Sequence, residues 1–338
     1  MSGLLDNFWV LLAIKLGLVA GVVLVTALVV IYAELKLGAH FQHRIGPYFA
    51  GGRWGWAQPL ADALKFLQKE DIVPDAADRA VFKIAPMVAL VATFGVAVVI
   101  PFSPRLAAQN LDIGVFYALA MGSVGTLGVL MAGWSSANKY SLMGGLRAAA
   151  QLIAYELPLV LAVVGVVIQA GTMSLTGIVE AQAQPAFHIG SVGIPLPYLF
   201  QGQVIGFVVF MIALLAELSR IPFDLPIAES ELVMGYLTEY SGLRFTMFFL
   251  AEYAGMFVMS ALAATLFLGG YHVPGLDPDF FGPLVLMGKA GVLLFLMIWF
   301  RWTWPRLRED QLQSFAWKWL VPLALVNLVV TAVFKVVF

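Results

Sequence analysis

Between Glu217 and Glu252 the chain carries five glutamates, one aspartate (Asp224) and two arginines (Arg220 and Arg244), set between and inside two long apolar stretches. A charged group at membrane depth costs ~2.5–3.5 kcal/mol or more, so such residues face water or a partner and commonly have a task. The chemistry these side chains offer is proton exchange. Clustered carboxyl groups in a partly dry site titrate as a coupled set, nearer neutrality than a free glutamate. The competing reading is that Arg220 and Arg244 neutralise them in salt bridges.

Glu156, in Tyr155-Glu156-Leu157-Pro158, lies inside another apolar stretch. It is either a titratable group in a proton path or a structural carboxylate bonded to a neighbouring helix. Pro158 loosens the local helix and lets polar groups approach. The run Arg220-Ile221-Pro222-Phe223-Asp224-Leu225-Pro226 cannot continue as a regular helix with two prolines so close together. It is expected as an ordered loop at the membrane surface, lining a headgroup site or docking a partner. Glu34, Lys36, Arg44 and Asp62 cluster where the first apolar stretch ends, as water-facing juxtamembrane charges or as part of a site. Lys289, inside a later stretch, either snorkels outward or pairs with a buried carboxylate.

Membrane helices must position these groups. Of 338 residues, 61% are hydrophobic and only 12% charged, about half the charged share of a soluble domain. Runs of ~20 apolar residues suffice to cross a bilayer. The sequence predicts an all-α polytopic membrane protein with about eight spans: 9–33, 82–101, 114–134, 148–170, 203–219, 243–269, 284–302 and 318–338. The first run has no basic segment before it and reads as a retained span. Fifteen of the 19 Lys and Arg residues fall on one set of loops and loop edges. The positive-inside rule makes that set cytoplasmic, with both termini outside. Residues 56–69 place Trp56, Leu60, Leu64 and Leu67 on one face of an amphipathic helix that would lie in the interface. Residues 227–240 are expected to form a second. With no cysteine and four histidines, neither a disulfide nor an ordinary iron–sulfur cluster is available, and a dedicated metal site is not expected. The net charge of −1 gives no hint of nucleic-acid binding.

Five stretches carry a resemblance. They are Glu34-x-Lys36…Gln42-x-Arg44-x-Gly46-Pro47; Gln58-Pro59-Leu-Ala-Asp62-Ala-Leu-Lys65; Gly133-Trp-Ser-Ser with Lys139, Arg147, Gln151 and Tyr155-Glu156; the acidic segment from Ala216 to Glu252; and Pro305-Arg306-Leu-Arg308-x-Asp310-Gln311. In order and spacing they resemble the H-type membrane subunit of NADH–quinone oxidoreductase, respiratory complex I (subunit 1 in the mitochondrial naming). The resemblance implies eight transmembrane helices in one integral membrane domain, 1–338, at the heel of the membrane arm of an energy-transducing plasma membrane. It implies no cofactor bound by this chain and quinone as substrate, with iron–sulfur clusters and FMN in partner subunits. The implied partners are peripheral-arm iron–sulfur and quinone-site subunits, small membrane subunits, antiporter-like subunits and lipid, and the chain alone is not expected to be active. By match of motif, Glu34, Lys36, Arg44, Asp62, Arg220, Asp224, Glu229 and Glu231 would line the quinone tunnel. Glu156, Glu217, Glu239 and Glu252 would belong to the proton path. The chain departs from the family pattern at Leu35, Tyr48 and Ile227, and the stretch Gln182–Pro197 is longer than usual. Two other readings compete: the equivalent membrane subunit of a proton-pumping hydrogenase or of a ferredoxin- or deazaflavin-driven complex, and a stand-alone ion-coupled transporter.

Overall fold

A computed structural model describes residues 8–189 and 192–337. The chain is an all-α membrane protein with one small β-hairpin. Its helices are α1 (Phe8–Phe41), α2 (Gln58–Gln68), α3 (Arg79–Val98), α4 (Gly114–Ser135), α5 (Lys139–Ala170), α6 (Leu175–Ala183), α7 (Val204–Glu217), α8 (Glu229–Leu232), α9 (Gly242–Phe267), α10 (Pro278–Thr303), α11 (Glu309–Phe315) and α12 (Val321–Val337). A π-helical turn, Ala316–Leu320, joins the last two. Among the described residues, seven helical stretches are long and apolar enough to cross a membrane, and α7 is a shorter apolar helix. Expected and observed spans agree in number when α7 is counted. The first, fourth and seventh spans run several residues further than hydropathy alone marks, because their polar ends remain helical.

Within lipid the hydrophobic effect does not drive helix against helix, so close packing rests on small residues and polar contacts. Gly128 of α4 faces Ala85 and Ala89 of α3, and a side chain there would stand 2.8 Å from the Ala89 amide nitrogen. Gly133 of α4 and Gly145 of α5 meet backbone to backbone in the same way. Helix α9, which carries Arg244 and Glu252, is otherwise largely apolar and almost continuously buried from Ala251 to Phe267, as a central helix should be. It packs against α1, α3, α7 and α10. Helix α5 packs against α4, α7 and α12.

Polar residues secure the helix ends. Asp78, Asn138, Ser174 and Asp277 cap the N-termini of α3, α5, α6 and α10, accepting from otherwise unpaired amides. Among the described residues Lys289 meets backbone carbonyls, not a carboxylate. Its ammonium donates to the carbonyls of Leu268 (2.7 Å), Gly270 (2.8 Å) and His272 (2.9 Å), closing the end of α9.

One local expectation is corrected. Residues 227–240 form two short helical turns, α8 and Gly235–Leu237, instead of one amphipathic helix. The chain reverses at Val233 (φ +64°) and at Gly235 (φ +55°). A side chain at Gly144 of α5 would meet the Gly235 backbone, and one at Gly235 would meet the Pro226 carbonyl, so neither position has room for one. The run from Arg220 to Pro226 is a loop packed against the rest of the chain; Arg220, Phe223 and Leu225 are each under 5% exposed. The long stretch Gln182–Pro197 contains the end of α6 and an antiparallel hairpin, β1 (Pro185–Ile189) with β2 (Val192–Pro195).

Candidate functional site: a buried arginine–glutamate network and an acidic cavity

Helix α7 has only 14 residues, about 21 Å at ~1.5 Å per residue, less than the ~30 Å of a bilayer core. Irregular backbone follows it, and irregular backbone inside a membrane protein persists only when protein or water satisfies its polar groups. Gln151 of α5 does this here. Its side-chain amide, 1% exposed, donates to the carbonyls of Ala216 and Phe223, each at 2.8 Å. The Leu307 amide donates to Pro222 (3.1 Å). Tyr155 packs edge-on against Phe223 and donates to the Leu312 carbonyl (3.0 Å). These contacts fix the break between Glu217 and Pro226 against α5 and α11.

Arg220 points from this break into the bundle. Its guanidinium pairs with Glu34 of α1 (3.0 Å) and Glu252 of α9 (3.0 Å), and lies 4.4 Å from the centre of the Tyr253 ring. Glu34 also accepts from Arg301 of α10. Two arginines and two glutamates therefore form one charge-neutral network that joins α1, α9, α10 and the loop.

Glu252 and Glu217 both line a cavity of about 130 Å³ between α3, α4, α7 and α9, with Thr93, Gly122, Gly125, Thr126 and Tyr236 in its wall. That volume holds several water molecules. Glu217 Oε2 is buried with no hydrogen-bond partner among the described residues. Burial pushes the Tyr236 phenol far above its ordinary range, and the Glu252 and Asp224 carboxylates push it the same way; it stays neutral at physiological pH. Next to Gly122 in the chain, Ser123 of α4 donates to Glu156 of α5.

The other expected residues lie outside this core. Asp224 accepts from Arg306 (2.9 Å), and Arg306 also donates to Ser230 (3.2 Å). Burial raises the Asp224 carboxyl above its usual range, and the Arg306 guanidinium opposes the shift. Glu231 pairs with Arg147 (2.6 Å), which also reaches Glu309 (3.4 Å). Glu229 is exposed on α8. Lys36 donates to the Pro47 carbonyl (2.5 Å), and exposed Arg44 to Gln42 (2.7 Å). Asp62 accepts from Gln58 (2.9 Å) and lies 3.7 Å from Lys65. Glu239 accepts from Asn138 (2.6 Å), the residue that caps α5, and does not line the cavity. Arg244, one of the two candidate neutralisers, pairs with Asp71 (3.1 Å) instead. The structure thus joins Glu34, Arg220 and Glu252, and sets Glu217 and Glu156 beside them. Arg301, Ser123 and Gln151 complete the arrangement. Sequence reasoning did not single out the roles of Arg301 and Ser123, because their partners lie 267 and 33 residues away.

The family model described as NADH dehydrogenase matches residues 14–332. Three relatives are each named as the H-type subunit of NADH-quinone oxidoreductase. That of Bacillus cytotoxicus is 48% identical over 309 residues, 91% of this chain and 89% of its own length. That of Anoxybacillus flavithermus is 46% identical over 336 residues, 98% of this chain and 96% of its own. That of Geobacillus kaustophilus is 46% identical over 333 residues, with the same two coverages.

Proposed function

Because the chain belongs to the NADH dehydrogenase family, a family of integral membrane subunits of complex I, we propose that it forms the quinone-access tunnel and the first part of an acidic proton path in a proton-pumping NADH–quinone oxidoreductase. In this reading quinone is the substrate, and the electrons come from iron–sulfur and flavin centres of partner subunits. The chain's contribution is electrostatic and positional, with no redox centre of its own. The loops rich in Lys and Arg face the cytoplasm, where the peripheral arm docks, and both termini lie outside.

The observation that carries the reading is the contact of the neutral Arg220 network with an acidic cavity large enough for several water molecules. Glu252 belongs to both. Quinone reduction consumes two protons and passes through anionic states near the loop that carries Arg220 and Asp224. Each change of charge there acts on Glu252 through Arg220, and on Glu217 across the cavity. At an effective dielectric constant of ~20, two unit charges ~8 Å apart interact by ~2 kcal/mol, more than one pKa unit. The event therefore propagates by proton shifts without large backbone motion. Lys36, Arg44, Asp62, Glu229 and Glu231, at the basic end of the bundle, would guide the headgroup or seat the peripheral arm. Glu239, held by Asn138, would serve the proton path at its edge.

The test uses the assembled complex in sealed membrane vesicles. Glu217→Gln and Glu156→Gln are expected to suppress quinone-coupled proton transport, and Glu180→Gln, on the opposite loop side, to leave it intact. Equal loss in all three variants would mean that the substitutions report assembly instead of proton transfer.

A further inference from the structure

Helix α4 contains no carboxylate, yet two consecutive residues of it touch glutamates from two other helices. Gly122 faces Glu217 of α7: a side chain there would put its first carbon 3.0 Å from Glu217 Oε1. Ser123 holds Glu156 of α5. The Ser123 hydroxyl also lies 3.2 Å from the carbonyl of Leu119, one turn back on its own helix. A hydroxyl has one proton to give and two lone pairs to accept with, so it cannot donate to both partners at once.

We propose that Ser123 is the positioning residue of Glu156 in the proton path, its hydroxyl reversing direction with each change in the charge of that carboxyl group. The inference rests on the proton-path reading above. When Glu156 is ionised it can only accept, and Ser123 donates to it. When Glu156 carries a proton it becomes a donor; Ser123 then accepts, and its own hydrogen turns to the Leu119 carbonyl. Both arrangements are fully hydrogen-bonded, and passing between them moves only the hydroxyl hydrogen. Glu156 is therefore held at one place, beside the Gly122–Glu217 contact, in both of its charge states. With alanine at 123, either state of Glu156 loses its partner on α4 and the carboxyl group is free to swing away from Glu217.

The experiment compares Ser123→Ala, Ser123→Thr and Glu156→Gln in the assembled complex, normalised to the amount of complex on a native gel. Two readouts are taken: quinone-coupled proton transport, and the carboxyl region of the infrared difference spectrum during turnover, with Glu156→Gln assigning the Glu156 band. Ser123→Ala is expected to shift that band and slow coupled transport about tenfold, the scale of one hydrogen bond to a charged group. Ser123→Thr, which keeps the hydroxyl, is expected to restore both. If Ser123→Ala leaves the band and the transport rate as in the native complex while Glu156→Gln abolishes transport, the role of Ser123 is refuted and the path stands. If Glu156→Gln transports at the native rate, the path reading fails and the inference falls with it. Ser123→Cys, close in size and a far weaker donor, supplies the same comparison where the alanine variant does not assemble.

Discussion

Arg220 is the residue whose removal tests the electrostatic account most directly. Its guanidinium is 4% exposed and pairs with Glu34 and Glu252, while Arg301 pairs with Glu34. The four charges sum to zero. Arg220→Met leaves a net −1 inside the bundle and takes from Glu252 its ion-pair partner. Breaking a buried pair by deleting one member costs ~3–5 kcal/mol, consistent with ~4 kcal/mol for unit charges ~4 Å apart at a dielectric constant of ~20. Glu252→Gln alone errs the other way, leaving a net +1. The double variant Arg220→Met/Glu252→Gln returns the network to zero and is expected to recover ~2 kcal/mol of the loss from Arg220→Met, a coupling ordinary for residues in direct contact. Complex abundance on a native gel and the melting temperature of the purified complex measure this. If the two single losses simply add in the double variant, the network is not the coupled charge unit described here.

Three further outcomes are expected. Gly122→Ala crowds Glu217 Oε1 at 3.0 Å and moves the carboxyl group by a few tenths of an ångström; the complex assembles normally while coupled proton transport falls, and unchanged transport would separate the position of Glu217 from its role. Gln151→Leu withdraws the shared donor from the Ala216 and Phe223 carbonyls; an unsatisfied buried carbonyl costs ~1–3 kcal/mol, so the melting temperature falls, and a variant as stable as the native chain would mean that the break holds itself. His272 lies in the loop beside Lys289, where partial burial first and then the Lys289 ammonium hold its imidazole below the ordinary range. The folded state thus favours neutral His272, so this stabilisation is present above the ordinary histidine value of ~6.5 and is lost as pH falls through the folded-state titration. His272→Gln should flatten that part of the melting-temperature profile, and an unaltered profile would exclude His272 as its source.

The spans, the short fifth helix and the amphipathic helix at residues 58–68 were all legible, because hydropathy and helical periodicity are local properties. Partnership was not. Nothing in the sequence says that Glu34 meets Arg220 and Arg301, or that Arg244 turns to Asp71, since these contacts join residues far apart in the chain. The burial of the loop from Arg220 to Pro226 against the rest of the chain was not legible either, because prolines and charges usually mark an exposed run. Gln151, five residues before Glu156 and well inside α5, makes its burial tolerable by supplying the missing donor. Lys289 was framed as a choice between solvent and carboxylate; three backbone carbonyls at a helix end are an acceptor set that side-chain pattern does not display.

The shortness of α7 bears on how the protein is made. A ribosome delivers this segment into the bilayer before α9, α10 and α11 exist, and an apolar rod of 14 residues followed by unpaired carbonyls is a poor lodger in lipid on its own. Helix α5, already inserted upstream, carries the glutamine that receives it. Biogenesis should therefore proceed by docking α7 onto α5 as it leaves the translocon, which makes the α5–α7 hairpin, and not each helix singly, the unit that the membrane accepts.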